Sequence, residues 1–309
     1  MCTDRSVGGL KSGAHRYCAR SDAVSDRHVH VTANTLMDTA GGTPYTAVVM
    51  AGSRGAADVV ARAFGKSHKC LVDAGGQPML IRVLEALDAS EHVGRVVLCV
   101  EAAFHATDIP ALQQRFASGT LERLDAAHSP AASALRACDA LAQSLPLLIV
   151  TADHPLLDPM MLDYFCRRAA DCGDIGVGLT RAELVRERYP EAIRTLLRFA
   201  DGAYCGCNLF ALNTAAAGAA VRFWITMESD RKRPWRLIRM LGVRPLWRYL
   251  RGRLSLDEAL ATFSRKLELT AGAVVMPFAE AAIDVDKLAD LALVESILKA
   301  REARVARGV

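Results

Sequence analysis

Three groups of residues in this chain have the types and spacing to handle phosphates and a metal ion. The first is Ala51-Gly52-Ser53-Arg54-Gly55, which follows the apolar run Thr46 to Met50, with Lys69 lying just before a second glycine turn. Glycines let backbone N–H groups approach an anion with no Cβ in the way, and Lys69 and Arg54 supply counter-charge. The second is Asp153, which closes the apolar run Pro146 to Ala152. A carboxylate there is costly to bury unless it meets a cation or several hydrogen-bond donors. A magnesium ion is the simplest such partner, and an N-cap for the next helix is the competing assignment. The third is the pair Asp284 and Asp286. Alternation along an extended segment puts both on one face, where they share a metal or divide between metal and hydrogen bonding. Asp290 is better explained as helix-start chemistry.

The framework holding these groups is legible from periodicity. Thr46 to Met50, Arg95 to Val100, Pro146 to Ala152 and Ile175 to Thr180 read as buried strands, with a weaker one at Leu121 to Ala126. Helices are expected over Met79 to Leu87, about Ala131 to Ser144, and Asp158-Pro159 to about Ala170. Residues 195–212 read as a hairpin around Asp201-Gly202, and residues 214–268 as almost wholly helical. A last strand, Ala273 to Phe278, precedes a closing helix from Lys287 to about Val305. Alternating strands and helices argue for a doubly wound α/β sheet, whose ligands sit beyond the carboxyl ends of the strands.

The glycine loop lacks the Gly-Lys-Ser/Thr of a P-loop, and Gly52 and Gly55 do not complete a Gly-x-Gly-x-x-Gly fingerprint. It resembles instead the opening signature of nucleotidyltransferases with the nucleotide-diphospho-sugar transferase fold, in particular the molybdenum cofactor guanylyltransferase-like group. There an Ala-Gly-Gly-x-Gly loop is followed by a lysine and a Gly-x-Pro helix start, matched here by Ala51, Gly52, Gly55, Lys69, Gly76 and Pro78. Ser53 replaces the second loop glycine, and Ala57 stands where an arginine is usual; Arg54, Arg62 or Lys66 could restore that charge. Thr151 to Leu157 is similar to the family's strand-end metal motif, and Asp284, Asp286 and Asp290 resemble its late Asp-x-Asp-x-x-x-Asp-Leu signature.

The resemblance implies a three-layer α/β/α, Rossmann-like mixed sheet with a helical insert. It implies magnesium-dependent transfer of a nucleoside monophosphate from CTP or GTP to a phosphorylated small-molecule or lipid-linked acceptor, with release of pyrophosphate. In those terms Ala51, Gly52, Ser53, Gly55 and Ser133 bind the nucleotide, and Lys69 and Arg54 act on the transferring phosphates. Asp153 with Asp284 or Asp286, Asp284 being preferred, would hold Mg2+, and Asn208 would lie on the acceptor side. A glycosyltransferase with a nucleotide-sugar donor, and a non-catalytic nucleotide-binding, membrane-associated protein, are the alternatives.

Composition agrees with one α/β domain. The chain has 309 residues, 51% hydrophobic, with a formal net charge of +4, which points by itself to neither nucleic acid nor membrane. Nine scattered cysteines look like reduced core residues, and Cys205-Gly206-Cys207 has no partner pair at zinc spacing. With no apolar run of roughly 18 residues, a cytoplasmic protein is expected. Residues 1–43 read as a disordered extension before a transferase domain at 44–309, with Met37 as an alternative start and His15, His28 and His30 as tail residues rather than a metal cluster. From Arg222 to Arg253 there are ten Lys or Arg against two acids, interleaved with Trp224, Trp235, Trp247 and Tyr249. This basic insert reads as a solvated face or, among functional roles, as a lid over the acceptor, which is preferred, as a peripheral membrane contact, or, least favoured, as a nucleic-acid surface.

Overall fold

The computed structural model describes residues 43–53, 58–105, 109–229 and 242–307. The expected N-terminal extension, Arg54, Gly55 and Trp235 lie outside the described residues.

In chain order the strands are β1 (Tyr45–Met50), β2 (Asp73–Ala74), β3 (Gln77–Pro78), β4 (Val93–Val100), β5 (Glu122–Asp125), β6 (Leu147–Thr151), β7 (Ile175–Arg181), β8 (Leu197–Phe199), β9 (Gly202–Leu212) and β10 (Ala271–Met276). The helices are α1 (Val59–Ala63), α2 (Met79–Asp88), α3 (Pro110–Ser118), α4 (Pro130–Ala140), α5 (Pro159–Ala169), α6 (Ala182–Arg188), α7 (Ala217–Ser229), α8 (Val243–Leu250), α9 (Leu256–Leu267) and α10 (Leu288–Val305). Periodicity did not reveal α1, α3 and α6. They are short or polar, and α1 is set by Asp58, whose carboxylate caps the amides of Val60 and Ala61.

The main sheet runs β10-β7-β9-β6-β1-β4-β5, with β8 on the edge of β9. β1, β4, β5 and β6 are mutually parallel, as are β7 and β10, and β9 lies antiparallel between β6 and β7. The sheet is therefore mixed, because the hairpin from β8 sends β9 back through its middle. Buried Val, Leu and Ala side chains cover both faces, with α2 and α5 on one side and α4 and α7 on the other.

The insert divides its aromatic residues. Trp224 on α7 stacks on Phe210 at 6.0 Å between ring centroids, and Phe223 meets Phe263 of α9 edge-on at 5.4 Å. Trp247 on α8 is exposed. Among the described residues no helix is long and apolar enough to cross a membrane.

Candidate active site

Register brings the site together. Met50 pairs with Cys99 on one side and Thr151 on the other, so β1, β4 and β6 end side by side. Gly52, Glu101 and Asp153 therefore emerge at one rim, the carboxyl ends of three parallel strands. Beyond β10, the segment carrying Asp284 and Asp286 is stitched to the same rim by Val285, whose amide donates to the Asp153 carbonyl at 2.9 Å. His154 adds a second stitch, with Nε2 lying 3.1 Å from the Glu280 carbonyl. Burial pulls this ring below the usual imidazole range, so it is neutral, and the nitrogen facing the carbonyl must carry the proton. The strand-end histidine is thus structural.

Lys69 is delivered by a 3-10 turn anchored by buried Cys70 and Leu71. The chain then folds into the β2–β3 hairpin, where Gly75 and Gly76 both have positive φ, 59° and 83°. Two consecutive left-handed residues demand glycine. Arg82 on α2 fixes that turn by donating to the carbonyls of Ala74 and Gly75. The Lys69 ammonium lies 2.7 Å from Asp153 Oδ2 and 3.0 Å from Asp286 Oδ1. Burial alone would lower its pKa, but the two carboxylates outweigh that and leave it above its ordinary value.

Asp153, Asp284 and Asp286 each offer an oxygen within 4.8 Å of the others. Asp284 is held from two sides. Asn208 Nδ2 donates to its Oδ2 at 2.7 Å, and Arg194 Nη1 donates to its Oδ1. Arg194 also reaches the Asp284 carbonyl at 3.0 Å and Asp290 Oδ1 at 2.9 Å. Asp290 in turn accepts from the amides of Asp286 and Lys287 at the start of α10, the helix-start role expected for it. Burial, reinforced by the Asp153 charge and opposed by Arg194, pushes Asp284 up to about 6.

The donor set fits a divalent cation. Three carboxylates, Asp153, Asp284 and Asp286, converge on one point, with Lys69 against Asp153 and Asp286 and Arg194 against Asp284. Asp153 Oδ1 is buried with no hydrogen-bond partner, the cost that a metal ligand escapes on binding. The all-oxygen donor atoms of the three carboxylates suit a hard divalent cation.

Asn208 reaches Asp284 because β9 is bulged. Val177 pairs with Phe210 but Leu179 pairs with Gly206, so Cys207, Asn208 and Leu209 stand where Gly178 alone faces them. Asn208 adopts φ 52°, and a Cβ on Gly178 would sit 3.1 Å from the Leu209 Cβ. A bulge of this kind re-aims a side chain. Cys207, beside it, is a buried thiol near Thr180 that burial pushes up to about 12.

The remaining expected residues have separate placements. Ala51 is buried and its amide is taken by the Cys99 carbonyl, while Gly52 is exposed at the rim. The Ser53 amide donates to Glu101 Oε1 at 2.6 Å, so a carboxylate of the chain itself sits where the loop would receive an anion. The other Glu101 oxygen lies 3.1 Å from His68 Nε2, on a ring packed edge-on to Phe104. Ser133 is turned inward: its hydroxyl accepts from the Ala127 amide at 2.8 Å and closes the β5–α4 connection. Any base it influences is reached through that loop's backbone. Glu101 and Arg194 were missed by sequence reasoning. Glu101 directly follows an apolar strand, a signal equal to that of Asp153, whereas Arg194 sits in a loop that carried none.

The MobA-like NTP transferase domain family matches residues 47–204. A hypothetical transferase from Thermus thermophilus is 30% identical, with a TM-score of 0.66, covering 81% of this chain and 100% of its own. A 4-diphosphocytidyl-2C-methyl-D-erythritol synthase from Anaerococcus prevotii DSM 20548 superposes with a TM-score of 0.52 at 11% identity, covering 83% of this chain and 99% of its own. A second synthase of that name gives 0.50 at 12% identity, with coverages of 82% and 99%. At such identities the likeness is one of fold. No curated protein matched the chain.

Proposed function

Because this chain belongs to the MobA-like NTP transferase family and is a nucleotidyltransferase, we propose that it moves a nucleoside monophosphate from a nucleoside triphosphate to a phosphorylated acceptor, with Mg2+ held by Asp153, Asp284 and Asp286. The carrying observation is the convergence of these three carboxylates around Lys69, with an orphaned Asp153 oxygen. An oxygen of the acceptor phosphate attacks the α-phosphorus, a new P–O bond forms, and the bond to the bridging oxygen breaks to release pyrophosphate. Since a phosphate monoester is already ionised at neutral pH, no side-chain nucleophile or general base is required. The metal, when bound, neutralises charge on the non-bridging phosphate oxygens.

Each protein group then has a defined task. Lys69 exchanges its carboxylate partners for phosphate oxygens and stabilises the charge that develops as pyrophosphate departs. The Gly52–Ser53 amides, with Arg54 and Gly55 beyond them, receive the triphosphate once Glu101 gives up the Ser53 amide. Asn208 and Arg194 hold Asp284 in its ligating orientation. Ser133 shapes the loop that faces the base, which is cytosine or guanine in this reading. Residues 44–309, including the insert at 214–268, work as one transferase domain. A cytoplasmic setting, where thiols stay reduced, belongs to this reading, and Cys70, Cys99, Cys138, Cys166, Cys172, Cys205 and Cys207 form no disulfide.

A thermal-shift screen against the four ribonucleoside triphosphates, with and without magnesium, tests the donor site, and pyrophosphate release tests the reaction. A magnesium-dependent stabilisation by one triphosphate is expected. Asp153→Asn should abolish magnesium-dependent turnover while leaving the fold intact. Unchanged turnover in that variant would remove the metal assignment, and stabilisation by nucleoside diphosphate sugars alone would replace the reaction with glycosyl transfer.

A further inference from the structure

The exposed face of α8 is not used by the transfer chemistry, and its composition is unusual. Val243, Trp247 and Leu250 recur at intervals of four and three residues, and are 72%, 47% and 74% exposed. That spacing aligns them in one stripe along the helix. The opposite side of α8 is already engaged: Tyr249 packs on Phe199 of β8, and Arg248 makes a two-pronged bond at 2.8 Å to Glu258 of α9. The stripe therefore faces outward because the inward face is occupied.

Exposed Arg244, Arg251 and Arg253 flank the stripe. Among the described residues none of the three has an acidic partner, and the Arg251 guanidinium lies over the Trp247 ring, 4.2 Å from its centroid. An amphipathic helix with an apolar ridge and a fringe of unpaired guanidinium groups matches the interface of an anionic bilayer, where Trp and aliphatic side chains enter the acyl boundary and arginines stay among headgroup phosphates.

The helix is held firmly and near the site. The Ala200 amide donates to the Leu254 carbonyl at 2.8 Å, and Asp201 Oδ1 accepts from the Leu256 amide at 3.0 Å, fastening the α8–α9 corner to the β8–β9 turn. Since β9 is antiparallel and Tyr204 pairs with Arg181 at the carboxyl end of β7, that turn projects from the same end of the sheet as Gly52 and Asp153.

We propose that α8 is a peripheral membrane contact that lays its Val243-Trp247-Leu250 stripe on an anionic lipid surface. Nucleic acid is a poorer match, because exposed valine and leucine gain nothing from a phosphate backbone. A second copy docked face to face would oppose two arginine fringes, so like charges disfavour it.

The test is co-sedimentation of the full chain with phosphatidylcholine vesicles and with vesicles that also contain phosphatidylglycerol, at low and high salt. The expected result is binding to the anionic vesicles alone, weakened by salt. Arg244→Gln with Arg251→Gln should lower the partition coefficient by about twenty-fivefold, at about fivefold for each charge near the surface. Trp247→Ser with Leu250→Ser should lower it more than about tenfold. Both double variants should keep the nucleotide-dependent thermal shift, which separates failure of the membrane contact from failure of the transferase reading. Absence of binding to anionic vesicles, or binding unchanged in the double variants, overturns the proposal. So does a lipid-free dimer, detected by light scattering, that the Trp247→Ser and Leu250→Ser changes dissolve.

Discussion

Lys69 Nζ lies 2.7 Å from Asp153 Oδ2, with side chains only 15% and 19% exposed, so the chain partly neutralises its acidic centre with its own ammonium group. A second contact, 3.0 Å to Asp286, puts the lysine between two of the three carboxylates. The same cation thus restrains the carboxylates before substrate arrives and is in reach of phosphate oxygens afterwards.

Lys69→Ala should therefore have two separable effects. Turnover should fall by about two to three orders of magnitude, as for loss of a preorganised charge-stabilising donor. In the absence of nucleotide, the unrelieved carboxylates should lower the melting temperature and enlarge the stabilisation given by added magnesium. Melting curves across a magnesium titration check this, and an equal magnesium response in both proteins would mean that Lys69 does not neutralise the site.

Asp284 should impose a pH dependence on the metal-free chain. Its pKa is about 6 when folded against 3.8 ordinarily. Between those values the folded chain keeps a proton that the unfolded chain has released, so folding stability falls as pH rises. The contribution is complete below the ordinary value and gone once pH has passed the folded one. Wild type should lose stability across that interval relative to Asp284→Asn. Magnesium affinity should also weaken below pH about 6, where proton and metal compete for one carboxylate. Parallel melting curves for the two proteins across the interval would contradict the assignment.

Arg194 should behave as a structural counter-ion. Its guanidinium is 9% exposed and joins Asp284 to Asp290. Arg194→Met leaves both acids without that charge and should cost about 3 to 5 kcal/mol in urea denaturation. Arg194→Lys should recover only part of this, because a single ammonium cannot reproduce a planar fork across two carboxylates. Full recovery with lysine would reduce the role to net charge.

Glu101 competes with incoming phosphate for the Ser53 amide, which it holds at 2.6 Å. Glu101→Gln keeps a carbonyl acceptor for that amide while removing a negative charge from the phosphate's path. Triphosphate affinity should rise by about threefold to tenfold, with turnover at saturation unchanged. Calorimetric titration checks this, and weaker binding would show that the carboxylate builds the loop rather than occupying it.

Local pattern determined much of this protein. Continuous apolar runs specified β1, β4, β6 and β7 within a residue or two, because a strand buried on both faces needs apolar side chains at every position. The position of Asp153 followed at once, since a strand's carboxyl end is a local property. Asp290's helix-start role and the 197–212 hairpin were legible for the same reason.

Tertiary structure decided what depends on distant partners. That Asp286 takes Lys69 while Asp284 takes Arg194 and Asn208 could not be read from two aspartates in alternation, because their partners come from three remote segments. The bulge that turns Asn208 toward Asp284 arises from the register of β9 against β7, and a glycine at 178 marks it only afterwards. Ser133 reads as a site residue along the chain but is taken inward by Ala127. The insert's aromatics, alike in sequence, part company because Trp224 stacks on Phe210, whereas Trp247 stays about half exposed with the Arg251 guanidinium over its ring. Side-chain type and local period fix the elements and their ends, whereas the pairing of charges across the rim is fixed only when long-range register brings those ends together.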